Sequence, residues 1–156
     1  MSDFEIWTDG GCAPTNPGIG GYGIIIKSNA TQKQREIKQG FKKSTNNRME
    51  LRAVIEALKE IPKEASVILH TDSEYVVKHV KGIYKKKSNN HDLWKLFDEV
   101  MEGRNSDDVD IDWVKGHKEA KYLKNELYIN NYRCDRMVHE AREGELIVDE
   151  GYKSKS

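Results

Sequence analysis

The sequence predicts an α/β fold, a single mixed sheet whose first three strands run antiparallel and whose later strands run parallel, flanked by helices. Three observations point there. β-rich runs at residues 4–8, 22–27 and 36–41 follow one another with only turn-forming residues between them. From residue 47 onward, helical and strand patterns alternate, which implies parallel pairing. The 156 residues show no repeat, low-complexity linker or composition break, so they fit one domain large enough to bury its own core.

Taken in order, residues 4–8 (FEIWT) read as a short strand running into the glycine- and proline-rich stretch GGCAPTNPG. YGIIIK at 22–27 is a second strand, and 36–41 can pair with it as a hairpin or meander. Residues 47–58 are helical: Met49, Ala53, Val54, Ala57 and Leu58 share one face, and Pro62 closes the segment. An apolar strand follows at 67–70, with Ser73 placed to cap the next helix. Leu93, Leu96, Phe97 and Val100 have helical spacing within 93–101, residues 109–114 alternate as a strand, and 132–143 read as a last helix. The expected order is β-β-β-α-β-α-α-β-α, with five strands. The domain is expected to span 1–145, with 146–156 a charged C-terminal tail to which no role is assigned.

Bulk properties exclude more than they select. The 26 basic and 26 acidic side chains cancel, which gives no overall signal for a nucleic-acid binder. The basic residues do cluster, at Lys42–Lys43, from Lys78 to Lys87 and from Lys115 to Lys124, so a neutral total can hide a basic face. Two cysteines are too few for a disulfide scaffold, and neither a signal pattern nor a bilayer-length apolar run is present. The expectation is a soluble, reduced, cytoplasmic and monomeric protein, free-standing between Met1 and the tail EGYKSKS.

The chemistry-bearing candidates are acids. Asp9 ends one apolar strand and Asp72 ends another; carboxyl ends of neighbouring parallel strands converge on one crevice. Glu50 lies early in the first helix and Asp135 early in the last. Acids gathered without a cysteine or histidine cluster suit a hard cation, Mg²⁺ or Mn²⁺. Taken singly, each acid also has an ordinary explanation, as a turn residue or a dipole-stabilised helix start. Spacing alone leads to a candidate metal site and no further.

The wording around the acids is more specific. IWTDGG, NPGIGGYG, TNNRMEL, HTDSEYV, WVKGH and NYRCD occur in that order across most of the chain. Together they closely resemble the type 1 ribonuclease H family. That resemblance implies the ribonuclease H-like fold and an endoribonuclease that hydrolyses the RNA strand of an RNA–DNA hybrid, leaving 5′-phosphate and 3′-hydroxyl ends. It implies two Mg²⁺ ions, with Mn²⁺ a substitute, held by Asp9, Glu50, Asp72 and Asp135. In that scheme Asp9 bridges both ions, Asp135 holds the one that activates the attacking water, and Glu50 and Asp72 hold the one that stabilises the leaving oxygen. His117 would assist proton transfer or product release. Asn16, Thr45, Asn46 and Asn47 resemble residues that touch sugar 2′-hydroxyls, bases and a DNA phosphate, and Cys12 resembles an RNA-side contact. Glu74, Asn131 and the cluster Lys85, Lys86 and Lys87 complete the expected substrate contacts. The glycine run from Gly18 to Gly23 leads into a strand rather than a helix, so close packing explains it better than a nucleotide cradle.

Four departures stand out. Glu74 follows the TDS motif where the family often has Gln. The stretch VKHVKGIYKKKSNNHD is short, with Ile83 where a channel tryptophan would sit. The segment between His117 and Asp135 is long, with an insert, KEAKYLKNELYI, that carries five apolar or aromatic residues. An extra residue lies between Asp9 and Asn16.

Overall fold

The computed structural model describes residues 2–83, 89–115 and 125–153. β1 (Phe4–Ala13), β2 (Gly18–Ser28) and β3 (Gln34–Ser44) form an antiparallel meander; α1 (Asn46–Lys59), β4 (Val67–Thr71), α2 (Glu74–Val80) and α3 (His91–Met101) follow. β5 (Val109–Trp113), α4 (Glu126–Glu143) and β6 (Leu146–Ile147) complete the chain. The sheet order is β5-β4-β1-β2-β3-β6, with β4 parallel to β1, and β5 parallel to β4.

The expected mixed sheet is therefore present with one strand more than the five expected. β6 pairs in parallel with β3 through Gly40↔Leu146 and Phe41↔Ile147. Two residues cannot display a period-2 pattern, so only the tertiary pairing reveals the strand. The meander strands also run longer than their apolar stretches. β1 continues through Gly10 and Gly11 to Ala13, and β2 begins at Gly18, paired as Ala13↔Ile19. The expected cap holds: Ser73 Oγ accepts from the Val76 N–H at the start of α2, and the structure adds a second, Thr45 Oγ1 accepting from the Arg48 N–H at the start of α1. α4 begins at Glu126 rather than near residue 132, so the last four residues of the insert form its first turn. There the Trp7 indole donates to the Leu127 carbonyl at 3.1 Å, and Lys27 pairs with Glu126 at 2.7 Å.

Period-2 alternation divides the sheet between two cores. Ile6, Ile24 and Ile26 pack beneath α1 and α3 with Met49, Leu51, Leu58, Leu93 and Phe97. Trp7 and Ile25 face the other way and pack with Cys134 and Met137 of α4. No helix among the described residues is long and apolar enough to cross a membrane.

Candidate active site

The register places the acids. β1 and β4 run parallel with Thr8 opposite Thr71, so the next residue on each chain, Asp9 and Asp72, emerges side by side. Two glycines then let both helices come down on this point. A Cβ on Gly10 would lie 2.4 Å from the Met49 carbonyl carbon and 2.7 Å from the Glu50 nitrogen. Only glycine leaves room for the first turn of α1 to press against β1, which delivers Glu50 to the side of Asp9. On the opposite face, the cross-strand partner of Asp9 is Gly23. A Cβ there would lie 2.8 Å from the Cys134 carbonyl oxygen, so α4 seats directly on β2 and brings Asp135 to bear on Asp9.

Carboxylate oxygens of Asp9, Glu50 and Asp72 lie within 4.8 Å of one another. Asp9 is buried, and the Gly10 N–H donates to its Oδ1 at 2.9 Å. Burial pushes the Asp9 carboxyl well above its ordinary range, and the charges of Asp72 and Asp135 push it further. Glu50 is raised in the same way, by burial first and then by Asp9 and Asp72. Its Oε2 is buried with no hydrogen-bond partner among the described residues. A buried carboxylate oxygen without a donor, facing two further acids, is the environment a hard cation satisfies and a proton satisfies poorly. The donor set is all oxygen, which fits Mg²⁺ or Mn²⁺ better than a softer metal. Asp135 stands apart from the three, half-buried on α4.

The expected substrate residues cluster unevenly. Asn16 Oδ1 accepts from the Asn46 N–H at 2.9 Å, and Asn46 Oδ1 accepts from the Cys12 N–H at 2.8 Å. The β1–β2 turn and the start of α1 are thus stitched into one rigid rim, with Thr45 as its helix cap. Asn16, Thr45 and Asn47 line a cleft of about 810 Å³ that also runs past Lys43, His91 and Lys153. Burial lifts the Cys12 thiol to about 11, so it stays a neutral thiol; Cys12 and Cys134 are both free. Glu74 is exposed and pairs with Lys78 at 3.3 Å. Asn131 is buried within α4, away from any open surface. His117, Lys85, Lys86 and Lys87 lie outside the described residues, as do residues 118–124 of the insert.

Several neighbours of the site had no distinguishing signal in the sequence. Trp113, at the end of β5, donates its indole N–H to the Asp72 carbonyl at 3.3 Å. Arg48, inside the TNNRMEL motif, is buried and bridges Asp92 and Asp149, at 2.8 Å each. Asp149 lies in the charged C-terminal stretch, 146–156, for which the sequence predicts no role.

Comparisons with known proteins agree with this geometry. The family model described as RNase H matches residues 1–143. The chain is 40% identical over 166 residues to the ribonuclease H of Pseudoalteromonas atlantica, covering 98% of this chain and 99% of that one. It is 36% identical over 165 residues to the ribonuclease HI of Pasteurella multocida, covering 98% of each. Among solved structures, LC11-RNase H1 in complex with an RNA/DNA hybrid is 25% identical, with a TM-score of 0.66 over 90% of this chain and 96% of that one. With the family model covering nearly all of the chain and full-length relatives this similar, the protein belongs to the RNase H family.

Proposed function

We propose that the protein is an endoribonuclease that hydrolyses the RNA strand of RNA–DNA hybrids, using two Mg²⁺ ions and leaving 5′-phosphate and 3′-hydroxyl ends. The observation that carries this is the cluster of Asp9, Glu50 and Asp72 within 4.8 Å, with Glu50 Oε2 buried and unpartnered. Asp9, Glu50, Asp72 and Asp135 would hold the ions. When bound, such ions compensate charge on the attacking and leaving oxygens of an in-line displacement. The chain's own residues do the rest. Gly10 and Gly23 fix the spacing of the acids by setting how closely α1 and α4 approach the sheet. Asn16, Asn46 and the Cys12 backbone form a rim held in place before substrate arrives, which lowers the cost of ordering it on binding. Asn16, Thr45, Asn46, Asn47 and Cys12 bind the hybrid there, with selection for the RNA strand resting on its 2′-hydroxyls. The lysines at 85–87 add phosphate contacts, and His117 assists proton transfer or product release. The same reading has the protein acting as a cytoplasmic monomer.

End-labelled RNA–DNA hybrid, double-stranded RNA and double-stranded DNA, each with Mg²⁺, with Mn²⁺ and with EDTA, test the proposal. The expected result is metal-dependent loss of the hybrid's RNA strand alone. Intact hybrid under both metals, or equal cleavage of duplex DNA, would refute it.

A further inference from the structure

We propose that the C-terminal segment is a built wall of the nucleic-acid cleft, and that Lys153 on it contacts the sugar–phosphate backbone of the substrate. The inference rests on the nuclease reading above. After β6 pairs with β3, the chain buries Asp149, which is 3% exposed. Asp149 accepts from Arg48 Nε at 2.8 Å and Nη2 at 3.1 Å, and also from Arg52 Nη2 and Ser44 Oγ. The Glu150 carbonyl accepts from both arginines at 3.1 Å. Arg48 in turn grips Asp92 at the start of α3 through two bonds of 2.8 Å. The segment is therefore locked to the first turns of α1 and α3 by a buried ion network rather than lying loosely on the surface.

The turn that follows leads into the cleft. Gly151 has φ +86° and approaches α3 so closely that a Cβ would lie 2.1 Å from Asp92 Oδ2. The Tyr152 ring then lies 5.8 Å from the Arg48 guanidinium carbon. Gly151, Tyr152 and Lys153 line the 810 Å³ cleft together with Asn16 and Thr45. Charge decides what the cleft can take. Its acid, Asp92, is neutralised by Arg48. Lys43 and Lys153 line the same space with no acidic partner among the described residues. A chain of zero net charge thus presents a locally cationic cleft continuous with the asparagine rim, and its complement is a run of backbone phosphates.

The test is steady-state cleavage of RNA–DNA hybrid by the full-length chain across a NaCl series, for Lys153→Ala, Lys153→Glu and Lys153→Arg. Lys153 is exposed, so unchanged melting temperatures are expected. KM should rise about 3-fold for Ala and about 10-fold for Glu with kcat retained, and the Ala salt slope should be shallower by about one phosphate contact. Lys153→Arg should restore KM. Fluorescence anisotropy of hybrid binding in EDTA reads the same contact without cleavage. A wild-type chain that binds but never cleaves hybrid would therefore count against the nuclease reading alone. Unchanged KM, affinity and salt slope in the Ala and Glu variants would overturn the wall, as would a KM defect that Lys153→Arg fails to rescue. Protein-binding rather than nucleic-acid function at this cleft would appear as the first of these results.

Discussion

Replacing Asp9 by Asn should make the metal-free protein more stable while abolishing its cleavage. Oxygens of three acids lie within 4.8 Å, and two unit charges at that distance repel by about 3.5 kcal/mol at an effective dielectric near 20. Burial first, and after it the repulsion among the acids, makes the folded chain retain protons, and Asp9 and Glu50 are both raised. Each unit of such a rise costs the folded state about 1.4 kcal/mol once the pH exceeds it. Both groups have folded pKa values above their unfolded ones. Their contribution to stability is therefore complete below about pH 4 and is lost as the pH climbs through the raised values. Asn keeps an oxygen for the Gly10 N–H and removes the charge. A gain of about 2 kcal/mol at pH 7 corresponds to roughly 4–8 °C in Tm for a chain of this size. The assay is thermal unfolding in EDTA at pH 4.5 and pH 7.5, repeated with excess Mg²⁺. The variant should lead the parent at pH 7.5, converge toward it at pH 4.5, and lose most of the parent's stabilisation by Mg²⁺. An Asp9→Asn protein less stable than the parent in EDTA at pH 7.5, or one that still cleaves hybrid, would refute the reasoning.

Three further expectations concern the frame around the acids. Gly10→Ala forces a Cβ into the backbone of α1 at Met49, so it should cost about 3 kcal/mol in urea unfolding and depress activity by displacing Glu50. Asp149→Asn leaves Arg52 beside an uncharged amide and Arg48 with Asp92 as its remaining carboxylate, and should cost about 3 kcal/mol. Burial pushes the Asp149 carboxyl up, but the hydrogen bonds from Arg48 and Ser44 and the Arg52 charge more than offset it, and the group lies below its ordinary range. Its contribution is thus present above the unfolded pKa and lost as pH falls through the folded value, so the parent should lose stability below about pH 4 more steeply than Asp149→Asn does. His117→Ala should slow hybrid cleavage by roughly 100-fold in single-turnover assays while leaving Tm unchanged, and an unaltered rate would move its role elsewhere.

Local chemistry made much of this protein legible in its sequence. Alternating and helical apolar spacing, Ser73 as a cap, and Pro62 as a stop are signals carried within a few residues, and the elements they mark are present. The same holds for the acids: Asp9 and Asp72 were identifiable because each ends an apolar run, and the motifs around them were specific enough to indicate a family. What the sequence could not display were relations between distant positions. That Gly10 must be glycine follows from α1 arriving beside it, and Gly23 from α4; neither helix is near those glycines in the chain. β6 is too short to show a pattern and exists only because β3 offers it an edge. The C-terminal segment looked like a charged tail because Asp149, Arg48 and Arg52 are each ordinary surface residues by type. Their burial depends on a pairing across about a hundred residues, and a buried charge is tolerable only when its partner is already in place. The sequence determined the elements and the chemistry they carry; the tertiary structure decided which of those groups meet.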